Sequence, residues 1–276
     1  MLTQVVFFTI MMMCIGVLLL QVVIKYLVNH HIVAKNYLQQ EIPIGLGMYL
    51  WLFLIIYYSS FQWIIPTYEI KQTLLREYIV ILTILFIVGW LDDQVGDSEV
   101  KGFKGHLMKL MKERRLTTGL LKALSTGVLT VWVLIILEHH PLLEVLQFFI
   151  LTLMTNGVNL LDLRPGRAIK FFLLLSSVIF LISSLLNIFI YLLPVVIAVL
   201  LLLPKDIQGK VMLGDSGSNL LGFVLGFCFI IMTPWWTQIS VFILLVYMHW
   251  ISEQSSITQW IQTKPFIHWI DQWGRV

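Results

Sequence analysis

Apolar residues occur in this chain as long unbroken runs, without the alternation of a half-buried strand or the periodic stripe of a surface helix. Nine such runs, at about 3–27, 44–64, 76–91, 119–137, 142–161, 169–186, 188–204, 217–233 and 236–252, are separated by short polar stretches. A helix needs roughly 20 apolar residues to cross a hydrocarbon core, because backbone groups in lipid must be satisfied within the segment. The expected fold is therefore all-α, a polytopic bundle of about nine transmembrane helices forming one domain over residues 1–252. The split between 169–186 and 188–204 rests on Asn187 and on Ser183 and Ser184. Merging those two runs would move all later loops to the other face of the membrane. The first run has no basic leader and no small-residue cleavage site, so it reads as a retained span.

Composition agrees and narrows the class. The 276 residues are 59% hydrophobic and 12% charged, with a mean hydropathy of +0.90; a soluble domain carries about 25% charged residues. A β-barrel would need short alternating segments. Charge placement then sets orientation. With the N-terminus outside, all but two of the 18 Lys and Arg residues fall in cytoplasmic segments or, like Lys25, Lys122 and Lys170, at cytoplasmic span ends; only Lys71 and Arg76 fall outside. Such a bias marks cytoplasmic loops, and it places the C-terminus in the cytoplasm. Residues 253–276 carry Trp260, Ile261, Phe266, Ile267, Trp269, Ile270 and Trp273 at near-helical spacing, which predicts an amphipathic interfacial tail. Cys14 and Cys228 lie singly inside spans and suggest neither a disulfide nor a metal site.

The candidate chemistry sits where spans end. Ionisable residues near lipid are functional candidates, and three acidic clusters share the cytoplasmic face. Asp92 and Asp93 follow a span in GWLDDQVGD; adjacent carboxylates repel, favouring a proton or a cation, and can serve as base and metal ligand. In VMLGDSGSN, Asp215 stands beside Gly214 and Gly217 at a helix start, where free N–H groups attract an anion. In NGVNLLDLRPGR, Asn156 and Asn159 share a helix face, Asp162 follows, and Arg164 and Arg167 offer guanidinium groups suited to phosphate. The basic stretch KGFKGHLMKLMKERR places Lys101, Lys104 and His106 nearest the acid pair, as candidates for steering an anionic substrate. KNYLQQEIPIGLG reads as a loop with a rigid turn. His139, His140 and His249 have no acidic or Cys partners at metal spacing.

The order of these motifs, each at a cytoplasmic span end, resembles the polyprenyl-phosphate N-acetylhexosamine-1-phosphate transferase family, which includes the phospho-N-acetylmuramoyl-pentapeptide translocase and the lipid-linked GlcNAc-phosphate transferases. The resemblance runs from about Lys35 to Gly222. It implies transfer of a phospho-sugar from a UDP-sugar to undecaprenyl phosphate, with Mg²⁺ (or Mn²⁺) and release of UMP. By position it implies Asp92 and Asp93 as the catalytic acid pair, Asp215 as metal ligand, and Asn156, Asn159 and Asp162 as the polar face bordering nucleotide and metal. The chain departs from the family's usual DGxDGL at Asp162-Leu163-Arg164-Pro165-Gly166-Arg167, and it lacks the His-rich loop near the end; His268 alone stands there. The implied partners are a nucleotide-sugar, undecaprenyl phosphate and membrane lipids, with a homodimer or a partner enzyme as further options and no nucleic acid. The implied location is the cytoplasmic membrane. The alternative is a catalytically silent relative that binds lipid phosphate or regulates a partner.

Overall fold

The computed structural model describes residues 2–64, 72–96 and 117–275. It is built from helices and one small hairpin. In chain order these are α1 (Leu2–Asn29), β1 (Val33–Lys35), β2 (Glu41–Pro43), α2 (Gly47–Ile64), α3 (Gln72–Val95), α4 (Thr118–Leu137), α5 (Pro141–Leu161), α6 (Arg167–Ile182), α7 (Leu185–Ile207), α8 (Gly214–Met232), α9 (Trp235–Gln254), α10 (Ile257–Gln262) and α11 (Pro265–Gln272). The expected all-α bundle is present. Most of each predicted run lies on a helix. Among the described residues, six helices (α1, α3, α4, α5, α7 and α8) are long and apolar enough to cross a membrane, and the chain is a membrane protein. The count of nine crossings stays an expectation, because α2 and α6 are short and α9 is less apolar.

Helix α8 is the axis of the bundle. Of its most apolar stretch 89% is buried, against 28% for α1 at the periphery, and α3, α5, α2 and α6 all pack on it. Small residues permit this closeness, the usual device where lipid supplies no hydrophobic drive between helices. At Gly89 of α3, an added Cβ would stand 2.6 Å from Ser216 Cα, so the two backbones touch where the α8 N-terminus meets the end of α3.

Two departures from the sequence reading have local causes. The break between the sixth and seventh helices falls at Ser183, whose backbone is extended (ψ 160°), and not at Asn187. Asn187 instead lies inside α7, just before a π-helical turn over Ile188–Leu192. Pro194 has no N–H to offer the preceding turn, and Leu193 N–H reaches back five residues to the Ile188 carbonyl. The freed Phe189 carbonyl accepts from the Tyr57 hydroxyl of α2 at 3.0 Å. The second departure is KNYLQQEIPIGLG, which forms the antiparallel β1–β2 hairpin with Val33 opposite Pro43. Its turn is tied by Asn36, whose Oδ1 accepts from Leu38 N and Gln40 N (2.9 and 3.0 Å). The hairpin then continues into the strand before α8, where Met212 N donates to Pro43 O (2.8 Å). It thus sets the height of the α8 N-terminus.

Replacing Tyr57 by Phe leaves the Phe189 carbonyl without that donor inside the bundle. The variant should lose about 1–3 kcal/mol of stability, read as an earlier thermal unfolding transition in detergent.

Candidate active site

Four helix ends converge beside the hairpin. Asp92 and Asp93 lie in the last turn of α3, Lys122 in the first turns of α4, Asn159 and Asp162 at the end of α5, and Asp215 in the first turn of α8. The acid pair and Asp215, 122 positions apart, are direct neighbours.

The two adjacent aspartates are used differently. Asp93 Oδ1 accepts from Asp215 N (2.7 Å), and its Oδ2 accepts from Ser216 N (3.0 Å) and Ser216 Oγ (2.6 Å). It caps α8 from outside, satisfying N–H groups that a helix start leaves unpaired. Gly214, with φ +69°, makes the approach possible: an added Cβ would lie 2.5 Å from Asp93 Oδ1. Asp92 is turned to the Lys122 ammonium instead, which donates to Asp92 Oδ2 (3.3 Å) and to Asp215 Oδ2. Asn159 closes the group. In the orientation that satisfies both ends of its amide, its nitrogen donates to Ser218 Oγ and Asp215 Oδ1 (2.8 Å each), and its oxygen accepts from Lys122 (3.0 Å). Ser218 Oγ then donates to Gly214 O at 2.9 Å.

Asp162 stands at the C-cap of α5, outside the spanning segment. Burial, and then the negative charge of Asp206, Asp215 and Asp93, push its carboxyl well above the usual carboxylate range; a hydrogen bond from the Gly214 amide pulls the other way. Beside it, Asp92, Asp93 and Asp215 face the single ammonium of Lys122 among the described residues, a surplus of negative charge.

The family model for glycosyl transferase family 4 matches residues 75–233, more than half of the chain. The chain belongs to glycosyl transferase family 4. Its general activity follows: a membrane phospho-sugar transferase. No curated protein matches the chain. The matched region of this family 4 member runs from α3 through α8 and contains every residue of the cluster; α1, the hairpin, α2 and the tail lie outside it.

The remaining sequence candidates separate. Asn156 is one turn from Asn159 but points to α9, where its Nδ2 donates to His249 Nε2 (3.0 Å) and His249 Nδ1 donates to Leu245 O (2.8 Å). His249 thereby bridges the two helices, a partner that sequence spacing did not show. Arg164 stacks over the Tyr37 ring, 5.2 Å from its centroid. Arg167 is buried and bidentate to Asp271 in α11, through Nε (2.8 Å) and Nη2 (3.0 Å), so its fork is committed to the tail and not turned to a phosphate. Lys101, Lys104 and His106 lie outside the described residues. The sequence reading took Lys122 for an orientation signal. Its signal was present: a lone cation four residues into the apolar stretch TGLLKALSTG, where ionisable groups are rarely idle.

A magnesium ion fits the chemistry of the donors. Mg²⁺ prefers carboxylate oxygen and is bound through one or two carboxylates plus substrate phosphates. Asp92 and Asp215 converge on one cation already, with further negative charge behind them. Among the described residues no three acidic, His or Cys side chains form a closed metal cage, so such an ion would complete its coordination with phosphate and water.

The tail is two short helices, not one, broken between Thr263 and Pro265. Asp271 also takes Arg275, through Nη2 to Oδ1 (2.7 Å) and Nη1 to Oδ2 (2.9 Å). Burial opposes its charge, but hydrogen bonds and charge from Arg167 and Arg275 prevail and hold the Asp271 carboxyl below the usual range.

Two outcomes follow. Asp93→Ala orphans three donors at the α8 start and should cost about 2–4 kcal/mol. Asp92→Ala should cost less, since Lys122 keeps Asp215. Thermal unfolding of the two purified variants checks the difference. For Asp271 the depressed value means that its contribution is complete above the ordinary aspartate value of about 3.9 and is lost as pH falls below it. Tail docking, followed by limited proteolysis after residue 253, should persist from neutral pH to mild acid and fail only in strong acid, and Asp271→Asn should loosen the tail at neutral pH.

Proposed function

We propose that this protein moves an N-acetylhexosamine-1-phosphate from a UDP-sugar to undecaprenyl phosphate at the cytoplasmic membrane, a step of cell-envelope glycan synthesis. The observation that carries this reading is the convergence of Asp92 and Asp215, from the ends of α3 and α8, on one cation. A phosphate oxygen of the lipid attacks the β-phosphorus of the nucleotide-sugar. The bond between that phosphorus and the bridging oxygen breaks, and UMP leaves, giving a lipid diphosphate sugar.

The residues divide the work. Asp92, free of the capping task that occupies Asp93, takes the proton of a monoprotonated lipid phosphate and leaves the attacking oxygen charged. Lys122 lies where charge gathers on the transferred phosphoryl group, and a fixed cation there lowers the barrier. Asp93 is a positioning residue: it fixes the α8 start and so the direction of Asp215. Asn159 orients Asp215 and Lys122 together. Asp215 would hold the Mg²⁺ (or Mn²⁺), whose chemistry is to neutralise the diphosphate and draw off charge from the leaving phosphate. With the N-terminus outside, as charge placement suggests, all these groups face the cytoplasm, where nucleotide-sugars are found.

The test is UMP release from a panel of UDP-N-acetylhexosamines by purified protein with Mg²⁺ and undecaprenyl phosphate. Asp215→Asn should lower turnover by more than the roughly 10–100-fold that loss of an outer metal-shell partner costs. Absence of UMP release, where another family member under the same conditions releases it, would overturn the catalytic reading. Retained binding of undecaprenyl phosphate in that case would leave the silent, lipid-binding alternative.

A further inference from the structure

A second polar cavity lies away from the Lys122 cluster, between the loop after α5 and the tail. Its volume is about 220 Å³, compared with the ~150 Å³ of an engineered cavity that holds benzene. Its walls include Tyr37, Arg164, Thr258, Gln262, Gln272 and Arg275. It adjoins a smaller cavity that reaches Asp162 and Asp206, and the two share Tyr37, Arg164 and Pro165.

Charge around this space does not balance. Arg164, Arg167, Lys170 and Arg275 surround it or its rim, against Asp271 and, on the side of the smaller cavity, Asp206. Asp271 is saturated by Arg167 and Arg275, as described above. Asp206 accepts from Gly166 N at 2.8 Å. Lys170 is spent on the carbonyls of Ile270, Asp271 and Trp273 (2.9, 2.9 and 2.7 Å). What remains are donors without an acceptor. Arg164 makes no ion pair among the described residues and rests on Tyr37. Arg275 gives one hydrogen from each nitrogen, Nε to Pro165 O (2.8 Å) and the others to Asp271. A guanidinium has five N–H groups, so two of them stay free. Gln262, Gln272 and Thr258 add neutral polar atoms. Guanidinium groups with spare N–H donors suit the several acceptor oxygens of a phosphate.

We propose that this cleft, closed on one side by the C-terminal helices, is a phosphate-binding subsite with Arg164 and Arg275 as its anchors. It meets the Lys122 cluster only through the smaller cavity that Asp162 lines, and it does not depend on the transferase reading. The ligand carries a phosphate or diphosphate group, borne by a soluble cytoplasmic molecule or by a lipid headgroup.

Full-length protein is placed in phosphatidylcholine nanodiscs with EDTA, so that the carboxylate cluster repels anions, and inorganic pyrophosphate is titrated calorimetrically. Arg164→Gln should weaken binding about tenfold or more, the usual cost of a lost charge-assisted pair. Gln262→Glu, at an exposed wall position, should do the same by repulsion. Lys25→Gln, an exposed cation on α1, should bind as the parent does. Nanodiscs containing phosphatidylglycerol separate the sources: competition with pyrophosphate that vanishes in Arg164→Gln supports the subsite with a headgroup as its ligand, and absence of competition supports it with a soluble one. Parent protein that does not bind pyrophosphate, or equal affinity in the parent, Arg164→Gln and Gln262→Glu, overturns the proposal.

Discussion

The cap that Asp93 places on the start of α8 is the constraint on which the site depends. One carboxylate from α3 takes two backbone N–H groups and the Ser216 hydroxyl from α8, which fixes the rotation and height of the most buried helix in the bundle. Helix starts in an apolar environment need such acceptors, since no water replaces them. The cost is a carboxylate withdrawn from water, and the three donors offset it. Gly214 and Gly89 are the backbone conditions for this contact: the first tolerates φ +69° under Asp93, and the second lets α3 lie against Ser216.

Once α8 is fixed, the electrostatics of the centre follow. Asp215 is brought to the same ammonium as Asp92, and Asn159 sets the amide between them. The resulting group is rich in negative charge and poor in cations, a poor resting arrangement for three acids but a suitable one for receiving a divalent cation with phosphates attached.

The tail shows the same physics in a different place. Arg167, at the first position of α6, is matched 104 residues later by Asp271, and Arg275 shares that carboxylate. The paired face is buried, while Phe266, Trp269 and Trp273 on the opposite side stay 64–71% exposed, as an interfacial segment would present them. The tail therefore covers the loop after α5 and bounds the cavity beside it.

The positions of the apolar runs, the helical class and the three acidic motifs were legible in the sequence, because lipid imposes a length and a polarity on each segment before any contact forms. The broken join at Ser183 and Ser184 was visible only as weak polarity, and the π-turn needed both Pro194 and the hydroxyl of Tyr57 from another helix. Contacts at long separation were not legible. That Asp93 caps while Asp92 meets a cation, that Lys122 is that cation, that Asn156 turns to His249, and that Arg167 is taken by Asp271 each depend on which faces of the helices meet. Hydropathy determines that a helix lies in the bundle. Only packing against its neighbours decides which way each side chain on it is turned.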